Sequence, residues 1–273
     1  MPNDIGSLVI DHGDGASVGG AQTRTRWVNR HPEEYHKGTY SETLRPIAEN
    51  YFYDDFDGYF LDDYVAGTNS GGVWFKQIVG AAPPTILNIG APACGWVQCH
   101  LTGANQAQTA LLDCANRRIW AIAYGLQFEA KVLMLTALPT GVAEGWIGVA
   151  GDYLAGPLTG AGGGPLEHAF FHVAAVTGAV SVYTDDTSVA GDLAVATGIS
   201  MVAGVGHVFR IDFTNPASVR FYIDGTRVCA ATTFNLNTVP ALVVQPMFGM
   251  FKAATADTGD MIIDYVRIWQ ERY

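Results

Sequence analysis

The sequence predicts an all-β fold, a two-sheet antiparallel sandwich with an extended N-terminal arm. Three observations support this prediction. From residue 49 onward, roughly a dozen short segments alternate apolar and polar residues, turn residues separate them at near-regular spacing, and no segment has the period of an amphipathic helix. Two packed sheets are needed to bury this many apolar positions.

The stretch 206–232, GHVFRIDFTNPASVRFYIDGTRVCAAT, predicts two consecutive β-hairpins. Phe209 and Ile211 alternate with polar residues, and an Asn-Pro pair at 215–216 breaks the first run. Asp224-Gly225 lies between β-forming segments, and both residues suit a tight turn that requires positive φ. Clean alternation of this kind is typical of antiparallel strands with one buried face.

The remaining strands are predicted from the same pattern, taken in chain order. After two aromatic segments at 51–53 and 59–61, we expect strands at 72–79, 85–89, 96–101, 109–114, 144–151, 168–175, 180–184, 242–252 and 261–270. Residues 119–138 are apolar throughout, but Gly125 and the β-branched content favour two strands or one bent strand over a helix. The Gly-rich segment 156–165 predicts a flexible loop.

Composition narrows the choice of partners. The chain has 273 residues, 32 of them glycine, and only 15 % are charged, against the ~25 % that is usual. This fits either a surface covered by partner proteins or a β chain rich in turns. The net charge of −11 argues against a nucleic-acid partner. No apolar run approaches the ~20 residues of a membrane span, and the N-terminus lacks a signal-peptide pattern, so we expect no membrane partner.

Residues 1–50 differ from residues 51–273, which we expect to form the sandwich. The first segment holds three of the seven histidines, and residues 24–46 mix charges with isolated aromatics. Such a segment cannot form its own core. It is either an arm that orders on a partner or a long loop that packs on its own domain. The candidate interface residues in it are Arg24, Arg26, Trp27, Arg30, Tyr35 and Tyr40.

Four segments together resemble a known fold family. They are LQFEAKVLML at 126–135, AFFHV at 169–173, the stretch 207–232, and MIIDYVRIWQ at 261–270. Their order is similar to the back half of the concanavalin A-like lectin/glucanase jelly roll, found in laminin-G-type modules and family-16 β-glucanases. The resemblance covers roughly residues 120–273 and implies the fold more strongly than any activity.

A narrower similarity is to structural proteins of tailed bacteriophages, through the Gly-rich arm and the segments FRIDFT, VRFYIDG and DYVRIWQ. It implies a virion structural protein, with a capsid decoration (cement) protein favoured. Such a protein would bind the major capsid protein through its arm and form a homo-oligomer, with a trimer favoured. It would be assembled in the host cytoplasm and lie on the capsid surface.

Two other functions remain open. One is a lectin-like module of a virion tail or head fibre that binds a glycan. The other is a glycoside hydrolase, for which the resembling glucanases use a Glu-x-Asp-x-x-Glu strand. A retaining hydrolase needs two carboxyl groups ~5 Å apart, and none of the eight glutamates lies in that pattern. We therefore expect that the protein is not an enzyme.

The last predicted strand carries a second set of candidate interface residues. Tyr265, Arg267 and Trp269 alternate and should share its outward face. The opposite face would then hold Ile262, Asp264, Val266 and Ile268. The outward row could stack a sugar, join a protein interface, or pack within the chain.

No cofactor is expected, although the resemblance makes calcium possible through loop aspartates. The candidates Asp152, Asp185, Asp186 and Asp192 lack ordered ligand spacing. His168 and His172 would share a strand face ~13 Å apart, too far for one metal ion. The cysteines, which we expect to be free thiols, are Cys94, Cys99, Cys114 and Cys229.

Overall fold

The computed structural model describes residues 50–56, 61–63, 73–89, 95–115, 120–134, 139–151, 167–186, 193–236 and 242–270. All of these residues lie within one compact unit. Within them, no helix has the length and apolar character that crossing a membrane requires. The predicted arm at 1–50 falls outside the described residues except for Asn50, so this boundary stays a prediction.

The described chain is built almost entirely of β-strands. Their bounds are β1 (Asn50–Asp54), β2 (Leu61–Asp63), β3 (Trp74–Val79), β4 (Thr85–Asn88), β5 (Val97–Leu101), β6 (Gln106–Asp113), β7 (Trp120–Ala121), β8 (Gln127–Met134), β9 (Glu144–Ala150), β10 (Glu167–Val173), β11 (Ala179–Asp186), β12 (Leu193–Ser200), β13 (Gly206–Asp212), β14 (Arg220–Ile223), β15 (Thr226–Val228), β16 (Val243–Thr255) and β17 (Gly259–Gln270). The predicted all-β class is therefore confirmed.

The strands form two sheets, as predicted. The eight-stranded sheet has the order β15-β14-β13-β8-β17-β5-β4, and β1 also pairs with β17. The nine-stranded sheet has the order β12-β11-β10-β9-β16-β6-β3-β2, and β7 also pairs with β16. Every pair is antiparallel except β2 with β3. Because β16 and β17 follow each other yet lie in different sheets, the chain crosses between the sheets at their connection.

The two hairpins read from the sequence are present. β13 pairs with β14, and β14 pairs with β15. The turn residues Asp224 and Gly225 have φ angles of 50° and 76°, as the Asp-Gly signal predicts. The apolar segment 119–138 divides into β7, a short 3-10 turn at Ile122–Tyr124, and β8. Gly125 ends that turn with a φ of 65°, which explains why the segment is neither one strand nor a helix.

Aromatic side chains from both sheets interlock in the core between them. Phe171 of β10 contacts Phe209 of β13, with ring centroids 4.9 Å apart. Phe128 of β8 contacts Phe248 of β16 at 6.0 Å. Trp74 of β3 donates a hydrogen bond from Nε1 to Asp54 of β1 at 2.8 Å, and this bond also joins the two sheets. Each fully buried side chain of this size stabilises the fold by roughly 1.5–3 kcal/mol.

The last strand differs from the prediction at one point. A register shift lies between Ile263 and Tyr265 where β17 pairs with β8. Met261 and Ile263 face the core before the shift, and Val266 and Ile268 face it afterwards. The expected alternation was therefore wrong for Ile262, which lies on the face opposite Met261 and Ile263. It was also wrong for Asp264, which pairs with Lys131 across the outer surface at 2.6 Å. A bulge adds one residue to a strand, so the regular two-residue period fails there.

Candidate functional site

A second apolar cluster lies on the face of the nine-stranded sheet that is turned away from the core. Along β9, Ile147 and Val149 join the main core, whereas Trp146 and Ala150 join the second cluster. We call it the outer cluster; its members are Leu111, Trp146, Ala150, Phe170, Tyr183, Met247 and Phe251. The outward face of an antiparallel sheet commonly meets solvent. A buried aromatic cluster on that face is therefore a candidate binding site.

Strand register places Trp146 near the middle of this face. Trp146 pairs with His172 of β10 on one side and with Gly249 of β16 on the other. His172 in turn pairs with Ser181 of β11. Gly249 contributes no side chain beside the indole, and its backbone is buried. In the adjacent row of the sheet, Gly148 carries no side chain either, and a Cβ there would overlap the Ala169 carbonyl oxygen.

The aromatic rings around Trp146 are in close contact. The indole lies 4.5 Å from the His172 ring, 5.2 Å from Tyr183 and 5.8 Å from Phe170, measured between centroids. Tyr183 also meets His172 edge to face at 5.0 Å. Contacts of this geometry hold the rings in fixed orientations. The contacts thus fix the rings of an aromatic cluster that is largely buried.

Three buried polar atoms of this cluster make no hydrogen bond by geometry, and two of them face each other. They are Trp146 Nε1, His172 Nε2 and Glu144 Oε2. Glu144 Oε2 lies 3.2 Å from His172 Nε2, a pairing that is ionic only when the imidazole is protonated. Trp146 is 4 % exposed and His172 is 7 % exposed. A buried polar group left without a partner costs ~1–3 kcal/mol, so this cluster marks a place where a ligand could supply the partners.

The Glu144 carboxylate also acts on Tyr183. Burial raises the pKa of Tyr183, and the negative charge of Glu144 raises it further. The phenol therefore keeps its proton and stays a hydrogen-bond donor across the physiological range. The outer cluster thus combines one carboxylate acceptor with indole, phenol and imidazole groups.

A buried carboxyl group lies farther along the same face. Asp113 lies two residues after the outer-cluster residue Leu111 on β6, so the two side chains share a face. Asp113 is 0 % exposed. Burial raises its pKa to about 6, against the opposing effect of hydrogen bonds from Ala115 N and the Gln77 side chain. β16 separates β6 from β9, and Asp113 and Glu144 are four residues out of register. Strand spacing then puts them ~16 Å apart, well beyond the ~5–10 Å of a glycosidase carboxyl pair.

Tyr265, Arg267 and Trp269 lie on the other sheet, where a polar network joins them. Glu129 of β8 accepts hydrogen bonds from Tyr265 Oη and Arg267 Nη2, each at 2.9 Å. The Arg267 guanidinium stacks over the Trp269 ring at 5.3 Å, and Tyr265 contacts Tyr53 at 6.1 Å. The structure brings these three residues together and gives each a contact within the chain. Their part in a protein interface stays a prediction.

The other candidate residues divide between described and undescribed parts of the chain. Arg24, Arg26, Trp27, Arg30, Tyr35 and Tyr40 lie outside the described residues, as do Asp152, Asp192 and Cys94. Asp185 and Asp186 are consecutive on β11 and so point to opposite faces. Within the described ranges, no group of three or more His, Cys, Asp or Glu could hold a metal ion. Cys99 and Cys229 are free thiols, and Cys114 is half-buried directly after β6.

Sequence reasoning missed Trp146, Glu144 and Asp113 as site residues. From the sequence, the segment EGWIGVA is predicted only as a strand, and Asp113 is predicted only as part of the strand at 109–114. A signal was present in the first segment, because Glu144 and Trp146 alternate with Gly145 and Ile147. It could not be read as a site, because β9 is buried on both faces and gives an almost continuous apolar run.

Comparison with known proteins identifies the fold. No protein-family model and no curated protein matches the sequence. A protein of unknown function from Shewanella oneidensis MR-1 matches with a TM-score of 0.52 and 13 % identity, over 86 % of this chain and 94 % of its own. The laminarinase from Rhodothermus marinus matches with a TM-score of 0.50 and 14 % identity, over 84 % of this chain and 100 % of its own. The Emp47p carbohydrate recognition domain matches with a TM-score of 0.47 and 9 % identity, over 68 % and 88 %.

These matches correct one expectation. We expected that the protein is not an enzyme, because the Glu-x-Asp-x-x-Glu pattern is missing. That exclusion was wrong, since a laminarinase, a glycoside hydrolase by name, shares the fold along its whole length. At identities of 13 and 14 %, the first two of these matches establish the fold alone. The chain has the concanavalin A-like lectin/glucanase sandwich fold that the segments 126–135, 169–173, 207–232 and 261–270 resemble.

Proposed function

We propose that this protein binds a carbohydrate on the outer face of the nine-stranded sheet, with Trp146 at the centre of the site. The observation that carries the proposal is that Trp146 Nε1 is buried without a hydrogen-bond partner. Its indole lies 4.5 Å from the His172 ring, whose Nε2 faces Glu144 Oε2 at 3.2 Å. Sugars present both C–H faces and hydroxyl groups. An aromatic surface beside unpaired polar atoms therefore matches their chemistry.

Each group has a distinct part in such a complex. The Trp146 and Tyr183 rings, 5.2 Å apart, give an apolar wall for the C–H face of a sugar ring. Trp146 Nε1 can only donate, and the ionised Glu144 carboxylate can only accept, so together they fix the direction of a hydroxyl group. His172 can do either, according to its tautomer. Pairing these atoms with the ligand would remove the cost of leaving them unsatisfied.

Asp113 favours a second function at the same face, hydrolysis of the bound glycan. Its carboxyl group has a pKa raised to about 6 by burial. An acid with a pKa near the working pH is suited to protonate a leaving-group oxygen. The ~16 Å between Asp113 and Glu144, taken from strand spacing, means that Glu144 would not act as its partner carboxylate.

Calorimetry with a ligand chosen from a glycan array tests the binding proposal. We expect Trp146→Phe, which removes the N–H donor but keeps an aromatic ring, to weaken binding about tenfold, since one lost hydrogen bond is worth ~1.4 kcal/mol. Trp269→Phe is the matched control, because Trp269 stacks on Arg267 in the other sheet. Absence of any array signal, or equal losses in the two variants, would contradict the proposal.

Release of reducing ends from the same glycan tests hydrolysis. Activity that disappears in Asp113→Asn, with binding retained, would support the second function. Binding without measurable release would leave glycan recognition as the function and remove hydrolysis. The two functions therefore separate in one pair of assays.

We also propose that the sugar-binding domain belongs to a virion structural protein, with a capsid decoration role favoured. The support is the sequence similarity to phage structural proteins and the distinct composition of residues 1–50. In this proposal the arm binds the major capsid protein, the protein is a homo-oligomer with a trimer favoured, and it lies on the capsid surface. Mass spectrometry of purified particles with copy counting tests it. Hundreds of copies support decoration, a few copies indicate a tail or head fibre, and absence refutes a virion role.

A further inference from the structure

Lys252 is a lysine whose side chain is fully enclosed by the protein. It lies near the end of β16 on the core side of that strand, alternating with Phe251 of the outer cluster, and it is 0 % exposed. Lysine is rarely buried to this extent, because an ammonium group loses its hydration on burial. The structure must therefore supply partners for this charge.

The partners are four backbone carbonyl oxygens. Lys252 Nζ lies 2.6 Å from Thr102 O, 2.6 Å from Ala104 O, 2.9 Å from Thr255 O and 2.8 Å from Asp257 O. The first two oxygens belong to the connection between β5 and β6, and the last two to the end of β16 and its connection to β17. Lys252 thus holds together two turns that are far apart in sequence.

The arrangement is that of a cation site. An ammonium group has three N–H donors, so four carbonyl oxygens exceed the hydrogen bonds that it can make one to one. Four oxygens around one positive centre are instead a coordination shell, such as carbonyls provide for potassium in channels. The distances of 2.6–2.9 Å are too long for magnesium (~2.1 Å) and at or beyond the upper end for calcium (~2.3–2.6 Å).

We propose that these four carbonyls form a binding site for a monovalent cation of potassium or ammonium size, and that the Lys252 ammonium is its resident cation. The chain carries its own ion on a four-carbon stem, so the site needs none from solution. Removing the ammonium should leave the four carbonyls without their cation and open the site to potassium or ammonium, although Ala104 O keeps its hydrogen bond from Gln106 N. Burial lowers the pKa of Lys252, and the nearby Asp257 carboxylate opposes only part of that shift.

The site also bears on the outer cluster. The Asp257 side chain accepts a hydrogen bond from Val142 N at 2.9 Å, and Thr258 N donates to Thr140 Oγ1 at 2.8 Å. These contacts fix the segment that leads directly into Glu144 at the start of β9. Phe251, next to Lys252 in sequence, pairs with Glu144 across the strands. An occupied cation site therefore positions Glu144 for the ligand, a consequence that rests on the proposed function.

Thermal unfolding of Lys252→Ala in different chloride salts tests the proposal. At equal ionic strength, we expect potassium and ammonium to raise its Tm by several degrees relative to choline, with a saturable dependence on concentration. The wild-type protein should show no such difference. Lys131→Ala is the matched control, because Lys131 is a partly exposed lysine that pairs with Asp264 on the outer surface.

Lys252→Met provides a second comparison, since its side chain fills the stem volume without a charge. We expect Lys252→Met to be destabilised and insensitive to potassium. Equal Tm values for Lys252→Ala in potassium and choline would overturn the proposal, and so would a variant that stays unfolded in every salt. These readouts involve no sugar. The cation site can therefore fail while glycan binding stands, and the reverse also holds.

Discussion

Replacing Asp113 by asparagine should remove a pH-dependent part of the stability of the protein. The Asp113 carboxyl is 0 % exposed, and burial raises its pKa from 3.8 to about 6. Asparagine keeps the size of the side chain and can still bond to Gln77. The difference of about two pKa units corresponds to ~3 kcal/mol at ~1.4 kcal/mol per unit. This is a large fraction of the ~5–15 kcal/mol that stabilises a typical domain.

The sign follows from which state holds the proton more tightly. Because the folded pKa is the higher one, the folded chain binds the proton more tightly than the unfolded chain. The contribution of Asp113 is therefore complete below pH ~4 and is lost as the pH rises through about 6. Above that range, the folded protein must hold a buried negative charge.

Urea unfolding between pH 4 and pH 8 measures this contribution. The free energy of unfolding of wild type minus that of Asp113→Asn should fall by ~3 kcal/mol over this range and level off at its upper end. Asp264→Asn, which removes a partly exposed carboxylate paired with Lys131, corrects for the general effect of losing one negative charge. A wild-type-minus-variant difference that stays constant with pH, or that rises, would refute the reasoning.

Three further substitutions or probes test other parts of the structure. Glu129→Gln removes the charge that accepts from Arg267 and Tyr265; we expect a loss of ~2 kcal/mol in urea unfolding, and no loss would show that the network is not stabilising. Gly148→Ala places a Cβ against the Ala169 carbonyl oxygen and should cost ~1–3 kcal/mol, whereas Gly103→Ala meets only ordinary contacts at 3.6 Å and should change stability by less than ~0.5 kcal/mol. Burial raises the pKa of Cys99 to about 12, so mass mapping after thiol labelling should find Cys99 modified only on unfolding and Cys229 modified earlier.

The sheet architecture could be predicted because local signals agreed with the tertiary structure. The hairpin turn at Asp224-Gly225 depends on two adjacent residues with positive φ. Aspartate and glycine are residues that adopt this conformation, so the turn is visible in the sequence. The strands β13 and β14 each have one buried face, so their alternation is visible in the sequence. Where local preference and packing agree, a single sequence is sufficient to identify the element.

Strand β12 shows where that agreement fails. Its sequence LAVATGIS has small residues at its exposed positions and was not assigned as a strand. β12 pairs with β11 through a register shift next to Val180, and Gly198 has a φ of 77° there. A strand with little apolar area is formed by pairing with its neighbour more than by its own propensity. The bulge in β17 could not be predicted for the same reason, because only the pairing of β17 with β8 defines it.

The outer cluster could not be predicted for a different reason, which concerns the faces of a sheet. β9 and β10 are buried on both sides, so EGWIGVA and EHAFFHV read as nearly continuous apolar runs. Such runs show that a strand is central but not which residues share a face with those of other strands. The neighbours of Trp146 are His172 and Gly249, and only the register of β10 and β16 places them beside it.

Tyr265, Arg267 and Trp269 of β17 could be predicted to share a face, because they alternate with other residues within a single strand. The contacts of Tyr265 and Arg267 with Glu129 on β8 could not be predicted, because they depend on how the strands pair. Sequence alternation therefore finds faces that meet solvent, whereas a buried polar site such as Glu144 with His172 is visible only after the strands are paired.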